Sequence, residues 1–248
     1  MEFWAHRGCS FKYPENTLKA FEEALEYDIR GIELDVQLTK DGVPMVFHDE
    51  KVDRVTNGKG YLKDYWFKDL RQLKILATDG TEYMIPTLTE VLNLLEGPMK
   101  ERGLTLNIEL KNSEVHYEGL EKIVLAMVKE RGLEEHVVYS SFSFESLKLL
   151  KELDENADIA ILHKSVSECI KRANKLGVKS IHPYVRNVRK KTNLTKLGFT
   201  VRCWNTGRHE PFHGQTNMID YIDPQDLEKK GVNVYMTNIP ERYTYRKD

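Results

Sequence analysis

At 248 residues, with 40% hydrophobic and 31% charged side chains, the chain has the size of one α/β barrel and enough apolar residues for a substantial core. A formal net charge of −2 excludes the broad basic field that a nucleic-acid backbone or an anionic membrane would need, while a small, locally neutralised anion stays open as a ligand. Cys9, Cys169 and Cys203 show no metal-type spacing, and Met1-Glu2-Phe3-Trp4-Ala5-His6 has neither a basic n-region nor an apolar h-region. With no apolar run near the ~20 residues that span a bilayer, a cytoplasmic protein with free thiols and no stable membrane insertion is expected.

A β-rich run at 3–6 opens the chain, followed by an amphipathic pattern at 17–27 and a second run at 31–38. A stretch at about 43–84 is too long for an ordinary loop and carries its own turn signals, Asn57-Gly58 and Asp79-Gly80. It reads as an insertion over the rest, packed through Tyr61, Trp66 and Phe67, within one domain covering 1–248. Helical patterns at 88–95, 117–130, 144–153 and 167–176 then alternate with strands at 105–110, 137–142, 159–163 and 180–183. A strand at 200–204, a second long joint at 205–223, a helix at 224–229 and a strand at 233–237 complete the chain. Such alternation predicts parallel βαβ units, and about eight of them suit a closed barrel, with a doubly wound sheet as the alternative. Gly31, Gly103, Gly177, Gly198 and Gly231 precede strands and are expected to end helices at φ > 0.

The chemistry concentrates in Gly31-Ile32-Glu33-Leu34-Asp35-Val36-Gln37-Leu38. Side chains alternate along a strand, so Ile32, Leu34, Val36 and Leu38 share a face suited to packing under helices. Glu33, Asp35 and Gln37 then point inward, where two carboxylates repel unless protonated or bridged by a cation. Asn107-Ile108-Glu109-Leu110-Lys111 repeats the pattern, so Glu33, Asp35 and Glu109 can meet. Oxygen donors of this kind suit one divalent cation, Mg²⁺ or Ca²⁺, better than Zn²⁺. An exposed polar strand face or a structural ion pair is the plainer reading of either strand alone. His6 and His48 both end β-rich runs, where barrels carry their catalytic groups, and can act as base and acid on a phosphorus centre. Arg7 offers a planar fork for phosphoryl oxygens.

His6-Arg7-Gly8, Pro14-Glu15-Asn16-Thr17, Gly31 to Val36, Asp41-Gly42-Val43-Pro44 and His48-Asp49 together resemble the glycerophosphodiester phosphodiesterase family. Ile85-Pro86-Thr87-Leu88, Asn107 to Lys111, Ser140-Ser141-Phe142, Trp204 and Thr237-Asn238-Ile239-Pro240 continue the likeness across the chain. The resemblance implies a TIM-type (β/α)8 barrel with a small insertion after the second strand, and hydrolysis to sn-glycerol 3-phosphate and an alcohol. It implies a divalent metal on Glu33, Asp35 and Glu109, and His6 and His48 as the acid/base pair. Arg7 and Lys111 would contact phosphate, Glu15 and Asn16 would orient the first loop, and Trp204 would wall the glycerol pocket. A lysophospholipase D-type activity and a non-catalytic phosphodiester-binding barrel are the competing readings.

Phe142, His163 and His182 also sit at strand ends, where pocket lining and ordinary packing are both open. Asn238 reads as a turn residue or one that supports the site from behind. His209 and His213 suggest a metal pair, against a solvated loop as the simpler reading, and Arg189-Lys190-Lys191 reads as a solvated face. Nothing in the pattern specifies an oligomer.

Overall fold

The computed structural model describes residues 1–189, 194–205, 213 and 222–247. Strand β1 (Glu2–His6) leads through helix α1 (Leu18–Leu25) into β2 (Gly31–Leu38). The insertion follows, with β3 (Pro44–Val46) antiparallel to β2, the short helix α2 (Phe67–Leu70) and a hairpin of β4 (Ile75–Leu76) and β5 (Glu82–Tyr83). Helix α3 (Leu88–Arg102), β6 (Thr105–Leu110), α4 (Leu120–Glu130), β7 (Val137–Ser141), α5 (Phe144–Leu153) and β8 (Asp158–His163) come next. The chain ends through α6 (Val166–Leu176), β9 (Ser180–Pro183), β10 (Thr200–Cys203), α7 (Pro224–Lys229) and β11 (Val234–Thr237).

Eight of these strands pair in parallel, in the order β1-β2-β6-β7-β8-β9-β10-β11, and β11 pairs back onto β1. The expected closed α/β barrel is what forms. No helix among the described residues is long and apolar enough to cross a membrane.

Both faces of β2 are buried, which is why its alternation carries so much information. Ile32, Leu34, Val36 and Leu38 join the main core between strands and helices, with Phe21, Val91, Leu92 and Leu95. A Leu34→Ala cavity there would cost about 2–5 kcal/mol. A smaller cluster of Trp4, Val138, Ala160, Val234 and Met236 fills the barrel interior. Glu33 lies level with His6, the last residue of β1, and Asp35 lies level with Glu109, next to the last residue of β6. The apolar fill below therefore leaves the polar groups only the mouth to open onto.

Two local expectations are corrected. Gly31 does not end a helix; it lies inside β2, and its φ is not positive. A Cβ there would stand 2.5 Å from the Trp4 ring, so close packing, not backbone freedom, requires glycine. The other four, Gly103, Gly177, Gly198 and Gly231, do take positive φ of 65°, 74°, 75° and 84°. Helix α3 runs past the expected end at 95 and through Pro98 to a left-handed cap at Gly103. Met99 continues the buried stripe of Leu88, Val91, Leu92 and Leu95, and that burial outweighs the hydrogen bond Pro98 cannot make.

The insertion has its own core of Met45, Phe47, Val52, Leu62, Leu70, Ile75 and Ile85, against which Phe67 packs. Tyr61 and Trp66 do not share that burial; they are exposed, under the ammonium groups of Lys51 and Lys63, and of Lys40, respectively.

Candidate active site

The turn after β1 sets the site. Arg7 takes φ 57° and Gly8 takes φ 79°, and a Cβ on Gly8 would stand 2.6 Å from the backbone of Ala20. Left-handed Arg7 costs roughly 1–2 kcal/mol, offset by what the turn lets it reach. Its backbone N–H donates to the Glu33 carbonyl at 3.0 Å and to Glu33 Oε2 at 3.1 Å. Its guanidinium meets Glu15 Oε1 at 3.0 Å and Asp35 Oδ2 at 3.2 Å.

Register does the rest. His6 lies opposite Glu33, and Asp35 lies opposite Glu109, across parallel strand pairs. Oxygens of Glu33, Asp35 and Glu109 come within 4.8 Å of one another, all three residues buried. Burial opposes charge on each of them. Even so, Arg7, His48, Lys111 and the Asn16 amide hold Asp35 below the usual carboxylate range. Glu33 is pushed well up by burial and by the Asp35 charge. Burial and Asp35 also raise Glu109, although Lys111 Nζ lies 3.2 Å away and acts against the rise.

The imidazoles are held differently. His6 Nδ1 is 2.6 Å from Asn238 Oδ1, so Nδ1 carries the proton and Nε2 faces Glu33 Oε2 at 3.7 Å. Burial, then Arg7, pushes the His6 pKa down to about 3, so the ring is neutral. His48 Nδ1 is 2.6 Å from Asp49 Oδ1. Asp49 is itself gripped by Arg54, through Nε at 2.6 Å and Nη2 at 3.1 Å. The same guanidinium reaches Glu15 at 2.6 and 3.1 Å, which joins His48 to Arg7 through Asp49, Arg54 and Glu15. Glu15, His48 and Asp49 have ligand-type atoms near one another too, but Arg54 is the cation that already serves them.

A cavity opens among these groups. His6, Arg7, Glu33, His48 and Glu109 form one wall; Phe142, Leu162, Trp204 and Met236 form the other, with Asn107 and His182 as its further polar lining. Phe142 meets Trp204 edge-on at 5.7 Å, and the Trp204 indole N–H donates to the His182 carbonyl at 2.9 Å. Lys111 and Glu15 stand behind the charged wall, bonded to Glu109 and Arg7.

The strand-end residues left open by the sequence divide cleanly: Phe142 and His182 line the cavity, while His163 Nδ1 accepts from the Ser165 N–H where α6 begins. His213 bonds Thr78, and His209, Lys190 and Lys191 lie outside the described residues. Asp49 and Gln37 were given no role by the sequence, and Arg54 was not singled out at all. Gln37 donates to the carbonyls of Phe47 and Asp49 and accepts from the Tyr117 hydroxyl, pinning the His48 loop. Asp49 beside His48 was a visible signal, and Gln37 was placed on the inward face of β2 without its partners; Arg54 gave none, because Glu15 is distant in sequence.

A parallel barrel with titratable groups gathered at the strand C-termini is the architecture of a (β/α)8 enzyme. The glycerophosphoryl diester phosphodiesterase family pattern matches residues 6–238. The chain is 35% identical to the glycerophosphodiester phosphodiesterase of Caldanaerobacter subterraneus subsp. tengcongensis over 243 residues, 96% of this chain and 93% of that one. It is 42% identical to the Bacillus altitudinis glycerophosphodiester phosphodiesterase over 168 residues, 66% of this chain and 67% of that one. Among solved structures, an Oleispira antarctica phosphodiesterase in complex with the product sn-glycerol-3-phosphate superimposes with a TM-score of 0.76 at 25% identity, covering 98% of this chain and 94% of that one. The Thermotoga maritima glycerophosphodiester phosphodiesterase gives 0.70 at 26% identity, covering 98% and 96%. The chain belongs to the glycerophosphoryl diester phosphodiesterase family, and is an enzyme of that class.

Proposed function

We propose that the chain hydrolyses glycerophosphodiesters to sn-glycerol 3-phosphate and an alcohol, with His6 and His48 as the acid/base pair beside one divalent cation. The observation that carries this reading is the approach of three buried carboxylates, within 4.8 Å, to a cavity lined by both imidazoles. The product-bound Oleispira antarctica neighbour supports the substrate class.

The carboxylate set fits a hard cation. Asp35 Oδ1 is buried with no hydrogen-bond partner, and Glu33 and Glu109 resist ionisation because each is buried and faces Asp35. All three donors are oxygens, which favours Mg²⁺ or Ca²⁺. When bound by Glu33, Asp35 and Glu109, the ion supplies Lewis acidity and neutralises charge at the phosphoryl group.

Arg7 and Lys111 draw the phosphodiester anion toward the carboxylate side. Neutral His6 removes the proton from the attacking hydroxyl through Nε2, while Asn238 fixes its tautomer through Nδ1. The attacker is read as the substrate's own glycerol hydroxyl. His48 then protonates the departing alcohol, ionised Asp49 stabilising its imidazolium form, and water opens the cyclic phosphate left behind to sn-glycerol 3-phosphate, with the two histidines in exchanged roles. Glu15 holds Arg7 in place, and Phe142 and Trp204 wall the glycerol.

The insertion at about 43–84 belongs to the same domain in this reading, because Arg54 completes the site. Three buried free cysteines suit a reducing, cytoplasmic setting. The test is release of glycerol 3-phosphate from glycerophosphocholine in Mg²⁺ or Ca²⁺, abolished by a chelator. Activity that survives both His6→Ala and His48→Ala would overturn the mechanism.

A further inference from the structure

Opposite the charged wall, one polar side chain has no account in the mechanism above. His182 is 0% exposed, and neither ring nitrogen has a hydrogen-bond partner. It comes from β9, lies in register with Leu162 of β8, and lines the cavity beside it. The Trp204 indole N–H bonds the His182 backbone carbonyl and leaves the ring unengaged. Asn107 Oδ1, in the same cavity, is likewise buried without a partner.

A buried imidazole without partners costs about 1–3 kcal/mol for each unpaired group. An apolar residue would fill the position at lower cost, as Leu162 and Met236 do beside it. The side chain therefore needs a partner that enters through the cavity. Burial, with Arg202 nearby, holds the ring well below its ordinary pKa, so it presents one N–H and one lone pair. That is the complement of a hydroxyl, which both donates and accepts.

We infer that His182 hydrogen-bonds the free hydroxyl of the substrate's glycerol farthest from phosphorus, and so selects deacylated glycerophosphodiesters over monoacylated ones. The assignment rests on the function proposed above and names what reads its alcohol side. Size agrees. The cavity holds about 50 Å³, where one water-sized group takes roughly 10–15 Å³ on the same kind of measure. A three-carbon polyol is served by that space, and an acyl ester on the same hydroxyl would remove its donor.

Competitive inhibition separates this role from a structural one. His182→Leu should weaken sn-glycerol 3-phosphate at least about 10-fold while inorganic phosphate stays within about 2-fold, and His182→Gln, which keeps a donor and an acceptor, should recover most of the loss. A second comparison needs no variant: the wild-type enzyme should bind propane-1,2-diol 1-phosphate, which lacks the terminal hydroxyl, about 10-fold more weakly than glycerol 3-phosphate. Equal binding of those two, or equal weakening of both inhibitors by H182L, in an enzyme that hydrolyses glycerophosphocholine overturns the His182 assignment alone. An enzyme that hydrolyses no glycerophosphodiester overturns the functional reading as well.

Discussion

The two walls of the cavity are built on opposite principles. On the charged wall every ionisable group is held by another: Arg7 by Glu15 and Asp35, His48 by Asp49, Asp49 by Arg54, Glu109 by Lys111. On the facing wall Phe142, Leu162, Trp204 and Met236 offer shape, and the lone imidazole among them is bonded to nothing. The first arrangement fixes charges before substrate arrives, which is what lowers a barrier. The second defers its polar contact until substrate arrives, which is what selects a ligand. Variants on the first wall should therefore fail in kcat, and variants on the second in affinity.

The largest effect should come from Asp35→Asn. It leaves buried Arg7 short of a counter-charge, so stability should fall by about 3–5 kcal/mol, read by urea denaturation. Activity should drop more than about 10³-fold, and the rise in melting temperature on adding Mg²⁺ or Ca²⁺ should disappear. A variant that still gains stability from the cation would dissociate these carboxylates from metal binding. Next come His6→Ala and His48→Ala, each expected to lower kcat by about 10²–10⁴ with little change in KM. A KM effect alone would move the imidazole to the recognition side of the comparison.

Arg54 is the intermediate case, since it touches only groups that touch the site. Arg54→Leu should lower kcat about 10- to 100-fold by freeing Asp49 and Glu15 together. Arg54→Lys should recover only part, because one ammonium cannot span both carboxylates. Full recovery by lysine would show that charge alone, and not the fork, is what the site requires.

How much of this was legible follows the same division. The β2 run was readable because alternation in a strand buried on both faces sorts side chains unambiguously. Its repeat at Asn107–Lys111 located the partner strand, and the register confirms that Asp35 meets Glu109. His6 was readable because it ends a barrel strand, whereas His48 follows the antiparallel β3 of the insertion and was readable only from the β-rich run before it and the family pattern around it. Arg54 was not, since it reaches Glu15 across 39 positions, and the inward-facing Gln37 did not reveal its partner Tyr117, 80 positions away. Gly31 misled for a related reason. Glycine before a strand usually ends a helix, and only the Trp4 ring against it reveals the other cause. For His182 the strand-end position was visible, but the lack of any partner is a fact of three dimensions.

The smallest expected effect tests both walls at once, through the acid stability of two buried histidines. Unfolded, each titrates near 6.5; folded, His6 sits at about 3 and His182 well below 6.5, burial being the main cause in both. Below pH 6.5 the unfolded chain thus binds protons that the folded chain refuses, so stability present above 6.5 is lost as the pH falls. The slope is at most about 1.4 kcal/mol per pH unit for each ring. Glu33 works in the opposite sense, because its raised pKa makes the metal-free folded state take up a proton that the unfolded state has released. The wild-type slope in a chelator is therefore a difference, and one curve cannot apportion it. Comparison with His182→Leu can, since that variant leaves His6 and Glu33 in place. Its urea midpoint, followed from pH 7.5 to pH 5, should fall less steeply than that of the wild type; parallel curves would mean that the His182 ring is not held neutral inside the barrel.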